Sequence, residues 1–334
     1  MISRVAEICH WLLRYVERAD CTARLLRVHS GMVLDVALPP SRTWRPLLIV
    51  LGEEGRFLER FGVKGAQDGE AVQEYLAWDP DSPVSIFTSL RMAREGARTV
   101  RETMSLETWQ ALNATWIWLK DGRGRRLFNR ERTAFYEELT HRCHHFHGAC
   151  HNTMLHEEPF DFMRLGLNLE RAGLTARILD LQHHALGNGG AGAEGTVEAV
   201  EWIAILRACA AYEPFFKKRV APLSGPAVAE FLLLELAFPG SVHHGLNRAR
   251  NFLARIRPGR NSEVGARSEE RLRELHDEVS RMRIEEVLDR GIHEVLTGIV
   301  NGTAEVSQAI AADYFSASLP GDLQSAENAQ AAQT

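Results

Sequence analysis

A glutamate–arginine dipeptide occurs twice in similar surroundings, as Glu17-Arg18 within RYVERADCTARLLRV (14–28) and as Glu170-Arg171 within LNLERAGLTARILDL (167–181). Charges set among alanines and leucines have two uses. They can neutralise one another in buried ion pairs, because an unpaired charge in an apolar interior is too costly to keep; the pairs then fix how two helices dock. Alternatively, arginines can clamp a carboxylate or phosphate through bidentate hydrogen bonds, with the glutamates orienting them or binding an amine. In that second case Arg18, Arg24, Arg171 and Arg177 converge on a cleft, joined by Arg94 and Arg250, and Glu17 or Glu170 acts as general base. Seven residues separate Glu17 from Arg24 and Glu170 from Arg177, about 20° short of two full helical turns, so each pair shares one stripe of a helix.

The segment HRCHHFHGACH (141–151) carries the next concentration of reactive side chains. His147 and His151 are four apart, a spacing compatible with metal ligation, and His147, Cys150 and His151 are the candidate ligands. The segment has no established metal motif and no echo elsewhere in the chain. A packed helix with incidental histidines is the plainer reading, and no cofactor is expected. DGRGRRLFNRERT (121–133) holds five arginines and reads as a solvated basic loop, with a docking patch for an acidic partner as the alternative. No G-x-x-x-x-G-K-[ST], G-x-S-x-G or H-E-x-x-H occurs. The few lysines (Lys64, Lys120, Lys217, Lys218) lie outside the repeated motifs, which disfavours Schiff-base chemistry.

The elements that must position these groups are also repeated. The first echo has an offset of 170 − 17 = 153; a second, SIFTSLRMAREGARTVR (85–101) against SVHHGLNRARNFLARIR (241–257), has 241 − 85 = 156. Two echoes in the same order at nearly equal offsets point to a tandem duplication of about 150 residues. Val5, Ile8, Leu12, Val16, Ala19, Ala23 and Leu26 recur at three-and-four spacing, the mark of an amphipathic helix bounded by Gly31 and Pro39-Pro40. Similar patterns predict helices near 68–77, 84–101, 105–119, 129–154, 160–187, 197–212, 226–237, 241–256 and 268–315. RPLLIVLG (45–52) is short enough to be strand or helix. Stretches 185–195 and 258–268 read as flexible connections. The expected fold is all-α, two tandem-duplicated helical bundles packed about a pseudo-twofold axis. Residues 1–155 and 156–316 form the two repeat units within one globule, and 317–334 form a disordered tail.

Composition narrows the class. The 334 residues are 45% hydrophobic and 25% charged, with 39 − 44 = −5 net charge. That balance argues against nucleic acid as a partner, and no apolar run approaches the ~20 residues of a spanning helix. The N-terminal residues lack an uninterrupted apolar signal region, and five cysteines without a C-x-x-C pair suit a reducing, cytoplasmic setting.

With the ERAxxTAR pattern in hand, the chain resembles the bacterial alpha-E domain family, named for its helices and its Glu-Arg motif. The resemblance rests on MISRVAEICHWLLRYVERADCTARLL (1–26), WQALNATWIWL (109–119), TML (153–155), FDFMRLGLNLERAGLTARIL (160–179) and FLLLELAFPGSV (231–242), and covers about 1–315. It implies a setting beside, or fused to, a circularly permuted ATP-grasp ligase and transglutaminase-like peptidases, with a part in forming or modifying peptide-like amide bonds. The resemblance places the family motif on Glu17-Arg18 and Glu170-Arg171. The family's Gly-Arg-Tyr lead-in reads Leu13-Arg14-Tyr15 in the first copy and Gly166-Leu167-Asn168 in the second, so the second has no arginine matching Arg14. Three functions follow: a non-catalytic helical partner of the ligase that presents or shields its acceptor peptide, an enzyme or small-ligand binder using the Glu-Arg pairs, and a metal protein using His147, Cys150 and His151.

Overall fold

The computed structural model describes residues 3–35, 44–186, 195–218, 222–257 and 264–315; among them every regular element is helical and no strand occurs. The first eight helices are α1 (Ser3–Asp35), α2 (Arg45–Val50), α3 (Glu54–Gly65), α4 (Gly69–Trp78), α5 (Ile86–Thr99), α6 (Leu106–Lys120), α7 (Arg123–Arg130) and α8 (Arg132–Thr153). The next eight are α9 (Glu158–Leu186), α10 (Gly195–Ala208), α11 (Tyr212–Lys218), α12 (Gly225–Leu234), α13 (Val242–Ile256), α14 (Ala266–Arg281), α15 (Ile284–Arg290) and α16 (Ile292–Ile310), the last running into a π-turn at Ala311–Phe315.

Local chemistry repeats between the two series. Ser85 and Ser241 cap α5 and α13, accepting from the N–H of Thr88 and His244, and each hydroxyl donates to a carbonyl six residues upstream, Asp79 (2.7 Å) and Glu235 (2.6 Å). α2 and α10 end in the same turn, in which the N–H of Glu53 reaches Leu48 O (2.8 Å) and that of Ala211 reaches Leu206 O (2.7 Å). The left-handed residue of that turn is Gly52 in one case and Ala210 in the other, at φ 72° and 53°.

α1 and α9 form the centre. Residues 12–23 of α1 are buried on every side, as expected of a helix surrounded by others rather than lying on a surface. α1 packs on α5, α8 and α9, while α9 packs on α13, α16 and α1. A continuous set of buried side chains runs from Ala6 to Phe315 through both series. The two central helices come close together at Gly166, where an added Cβ would lie 2.0 Å from the carbonyl oxygen of His10. Only glycine permits that approach, which brings the charged stripes of α1 and α9 together.

Several expectations change. Residues 45–52 are helical over Arg45–Val50, with Pro46 in the first turn, where its missing N–H costs nothing. The expected basic loop at 121–133 is instead largely helix α7. Gly124 and Phe128 face inward, and Arg125 and Arg132 lie against Trp78 and Phe128 and pair with Glu74 and Glu70. The single helix read over 268–315 is three, broken at extended Arg283 and at Gly291 (φ 92°). The helix read over 197–212 ends at Ala208. Pro39-Pro40, most of the 185–195 and 258–268 connections, and the 317–334 tail lie outside the described residues. No helix of the described residues is long and apolar enough to cross a membrane.

Candidate functional site

The two Glu-Arg motifs are cross-paired. Arg171 on α9 donates to both carboxylate oxygens of Glu17 on α1, from Nε at 2.8 Å and from a terminal nitrogen at 2.7 Å. Glu170 on α9 accepts from Nε of Arg18 and Nε of Arg14, each at 2.8 Å. Each motif glutamate thus reaches across to arginines of the opposite central helix. Glu17 and Glu170 are 2% and 6% exposed. Burial alone would raise their pKa values, but the facing guanidinium groups outweigh it and hold both at about 2. A carboxylate held this firmly ionised is a weak proton acceptor.

Two cavities flank this double pair, and they split the arginines expected in one cleft. The first, of about 60 Å³, is lined by Arg14, Arg18, Glu170 and Arg177 together with Gly173 and a stretch of α16. Arg14 also stacks on Trp11 at 4.3 Å and donates to Ser307 Oγ at 3.1 Å. Glu53, within electrostatic reach of Arg18, accepts from the hydroxyls of Tyr75 (2.5 Å) and Ser82 (3.1 Å), and burial pushes its carboxyl up. The second cavity, of about 180 Å³, is lined by Glu17, Asp20, Arg24 and Arg171, with His144 and Cys209 at its edge. There Arg24 pairs with Asp20 at 3.3 Å and approaches Glu17 at 4.0 Å.

Arg94 and Arg250 do not join either cavity. Arg94 pairs with Glu95 (2.5 Å), and Arg250 reaches His276 (2.7 Å) and Asp277 (3.7 Å). The histidine-rich stretch does form helix α8, but its candidate metal ligands diverge. His147 is inside, 3.6 Å from Glu17, with both ring nitrogens lacking a hydrogen bond; burial keeps it neutral, with its pKa lowered to about 4. Cys150 is buried against Met154 Sδ at 3.5 Å, and His151 lies outside, beside His156. Among the described residues no group of three His, Cys, Asp or Glu side chains is placed to hold a metal.

Sequence reasoning missed three contributors. Arg14 was visible only as a departure from the repeat. Glu53 sits in an otherwise unremarked loop between α2 and α3. The difference between Asp20 and Gly173 at matching positions of the two motifs was readable in ERAD against ERAG.

Over residues 1–315 the chain matches the alpha-E family, described as a predicted alpha-helical domain with a conserved ER motif. Curated relatives include a protein of Mycobacterium bovis and proteins of two Mycobacterium tuberculosis strains, each described as an uncharacterized protein. Each is 26% identical over 349 aligned positions, which cover 96% of this chain and 38% of the relative. The chain thus spans well under half the length of those relatives. No solved structure matches.

Proposed function

The chain belongs to the alpha-E family, and on that footing we propose that it is a helical accessory protein of an ATP-grasp amide-forming system, docking on a circularly permuted ATP-grasp ligase that acts on peptides or peptide-like bonds. A transglutaminase-like protein or the peptide itself is a further partner of the same system. The protein is built as two copies of an eight-helix unit about a pseudo-twofold axis. Support for the duplication comes from the two series of eight helices, the equivalent Ser85 and Ser241 caps, the equivalent turns at Gly52 and Ala210, and the reciprocal Glu17–Arg171 and Glu170–Arg18 pairs.

One observation carries the accessory role: both motif glutamates are spent on cross-pairs that lock α1 to α9. The motif therefore makes a rigid body, and a rigid helical body beside a ligase presents or shields its acceptor. The mycobacterial relatives, in which the matching stretch is 38% of a longer polypeptide, fit a unit that works joined to other sequence. A cytoplasmic setting belongs to the same proposal; all five cysteines are free and buried. Co-expression with a circularly permuted ATP-grasp ligase of the same genome is the test. A stable complex with altered ligase turnover is expected; separate proteins at micromolar concentration, with the ligase fully active alone, would refute the partnership.

A further inference from the structure

The two cavities beside the Glu-Arg pairs are built from matching positions, yet their charge differs. Adding 153 to the numbers of Glu17, Asp20, Cys21 and Arg24, which line the larger cavity, gives Glu170, Gly173, Leu174 and Arg177, which line the smaller. Each cavity also receives the motif arginine of the other helix, Arg171 or Arg18. In the larger cavity the account closes, since Glu17 and Asp20 face Arg24 and Arg171. The smaller departs in charge at two positions. Glycine replaces the aspartate, and Arg14, whose match on α9 is Leu167, is added. Three guanidinium groups therefore face one lining carboxylate, and Glu170 is already engaged by Arg14 and Arg18. Arg177 makes no hydrogen bond or ion pair with any described residue.

We propose that this cavity is a binding site for a phosphoryl group, inorganic phosphate or a small phosphomonoester, with Arg177 as its principal ligand and Arg14 and Arg18 as flanking donors. A half-buried arginine without a counter-ion is costly, and the cheapest remedy is an anion from solution. Arg177, with Arg14 and Arg18 beside it, lines the cavity from both central helices, an arrangement that a tetrahedral oxyanion can use on several sides at once and a planar carboxylate cannot. Size agrees. About 60 Å³ holds roughly four to six waters, which suits a tetrahedral anion. Asn301 on α16 adds an amide to the wall, so the anion would meet donors from both central helices and from α16. The inference goes beyond the accessory reading and stands or falls without the ligase.

The test is calorimetric titration of the full chain with inorganic phosphate at pH 8 and constant ionic strength, beside sulfate, acetate and chloride, with unfolding midpoints recorded in each salt. One saturable phosphate site and a raised midpoint are expected, with sulfate acting similarly and acetate and chloride not. Arg177→Gln should weaken binding by about tenfold or more, the loss of a hydrogen bond to a charged group. Gly173→Asp should do the same by supplying Arg177 with the carboxylate that Arg24 has in Asp20. An added Cβ there would lie 3.2 Å from the Thr303 hydroxyl, which must give by a few tenths of an ångström to admit it. Unchanged helical circular dichroism identifies folded variants. No saturable uptake by the parent protein, uptake undiminished in a folded variant of either kind, or an equal response to acetate would each overturn the assignment.

Discussion

Lowering the pH from 8 to 5 should destabilise this protein by about 4 kcal/mol through two histidines alone. His29 and His147 are buried, and burial lowers both pKa values to about 4 from an ordinary 6.5. A group with a depressed folded pKa binds fewer protons folded than unfolded. Its contribution is therefore complete above pH 6.5 and is lost as pH falls toward 4. At pH 5 each histidine costs about 2 kcal/mol, rising to about 3.4 kcal/mol below pH 4, at about 1.4 kcal/mol for each pH unit. His10 adds in the same direction, its pKa lowered by burial and by Arg14. Glu17 and Glu170, with folded pKa values of about 2 against 4.5, add a second loss between pH 4.5 and 2. Glu53 opposes these with its raised pKa, so it favours the folded state on the acid side. Urea unfolding followed by circular dichroism across pH 4–8 gives the slope directly. Against a domain stability of about 5–15 kcal/mol, the loss moves the midpoint visibly. His147→Gln should remove about 1.4 kcal/mol per pH unit from the slope between pH 6.5 and 4. A flat profile, or one that His147→Gln leaves unchanged, would refute the reasoning.

Gly166→Ala should cost about 1–3 kcal/mol, because its Cβ would strike the His10 carbonyl and force α1 from α9; Gly148→Ala on α8, where nothing lies within 4 Å, should stabilise by about 0.5–1 kcal/mol. Urea midpoints separate the two. Ala210→Gly should stabilise by about 1 kcal/mol, since Ala210 occupies at φ 53° the position that Gly52 holds in the matching turn. Arg94→Gln and Arg250→Gln should each cost under about 1 kcal/mol in the same assay. Arg18→Gln, which leaves a buried carboxylate short of a partner, should cost about 3–5 kcal/mol.

The sequence carried most of the helices. α4, α5, α6 and α13 lie within two residues of their predicted ends, because Asp68, Ser85, Ser105 and Ser241 cap apolar patterns of helical period. It failed where charge or continuity misled. The density of arginine in 121–133 concealed α7, whose inward face rests on Gly124 and Phe128. The apolar rhythm of 268–315 hid two breaks that backbone conformation at Arg283 and Gly291 imposes. At the site, the residue types were legible and their partners were not. Glu17 stands next to Arg18 in the chain, yet its partner lies 154 residues away. Likewise, the glycine at position 173 reads as a minor difference until Arg177 is found without an ion pair. A further correspondence was spatial rather than sequential. Trp44 packs over Gly69 and Trp202 over Gly225, each glycine opening a helix where an added Cβ would come within 2.5 Å and 2.6 Å of the indole.

A double-mutant cycle measures the cross-pairing most directly. Glu17→Gln, Arg171→Met and their combination, unfolded in urea at pH 8, should give a coupling of about 2 kcal/mol. The corresponding cycle of Glu17→Gln with Arg18→Met should give well under 1 kcal/mol. Equal couplings, or the larger value between Glu17 and its neighbour in sequence, would contradict the account.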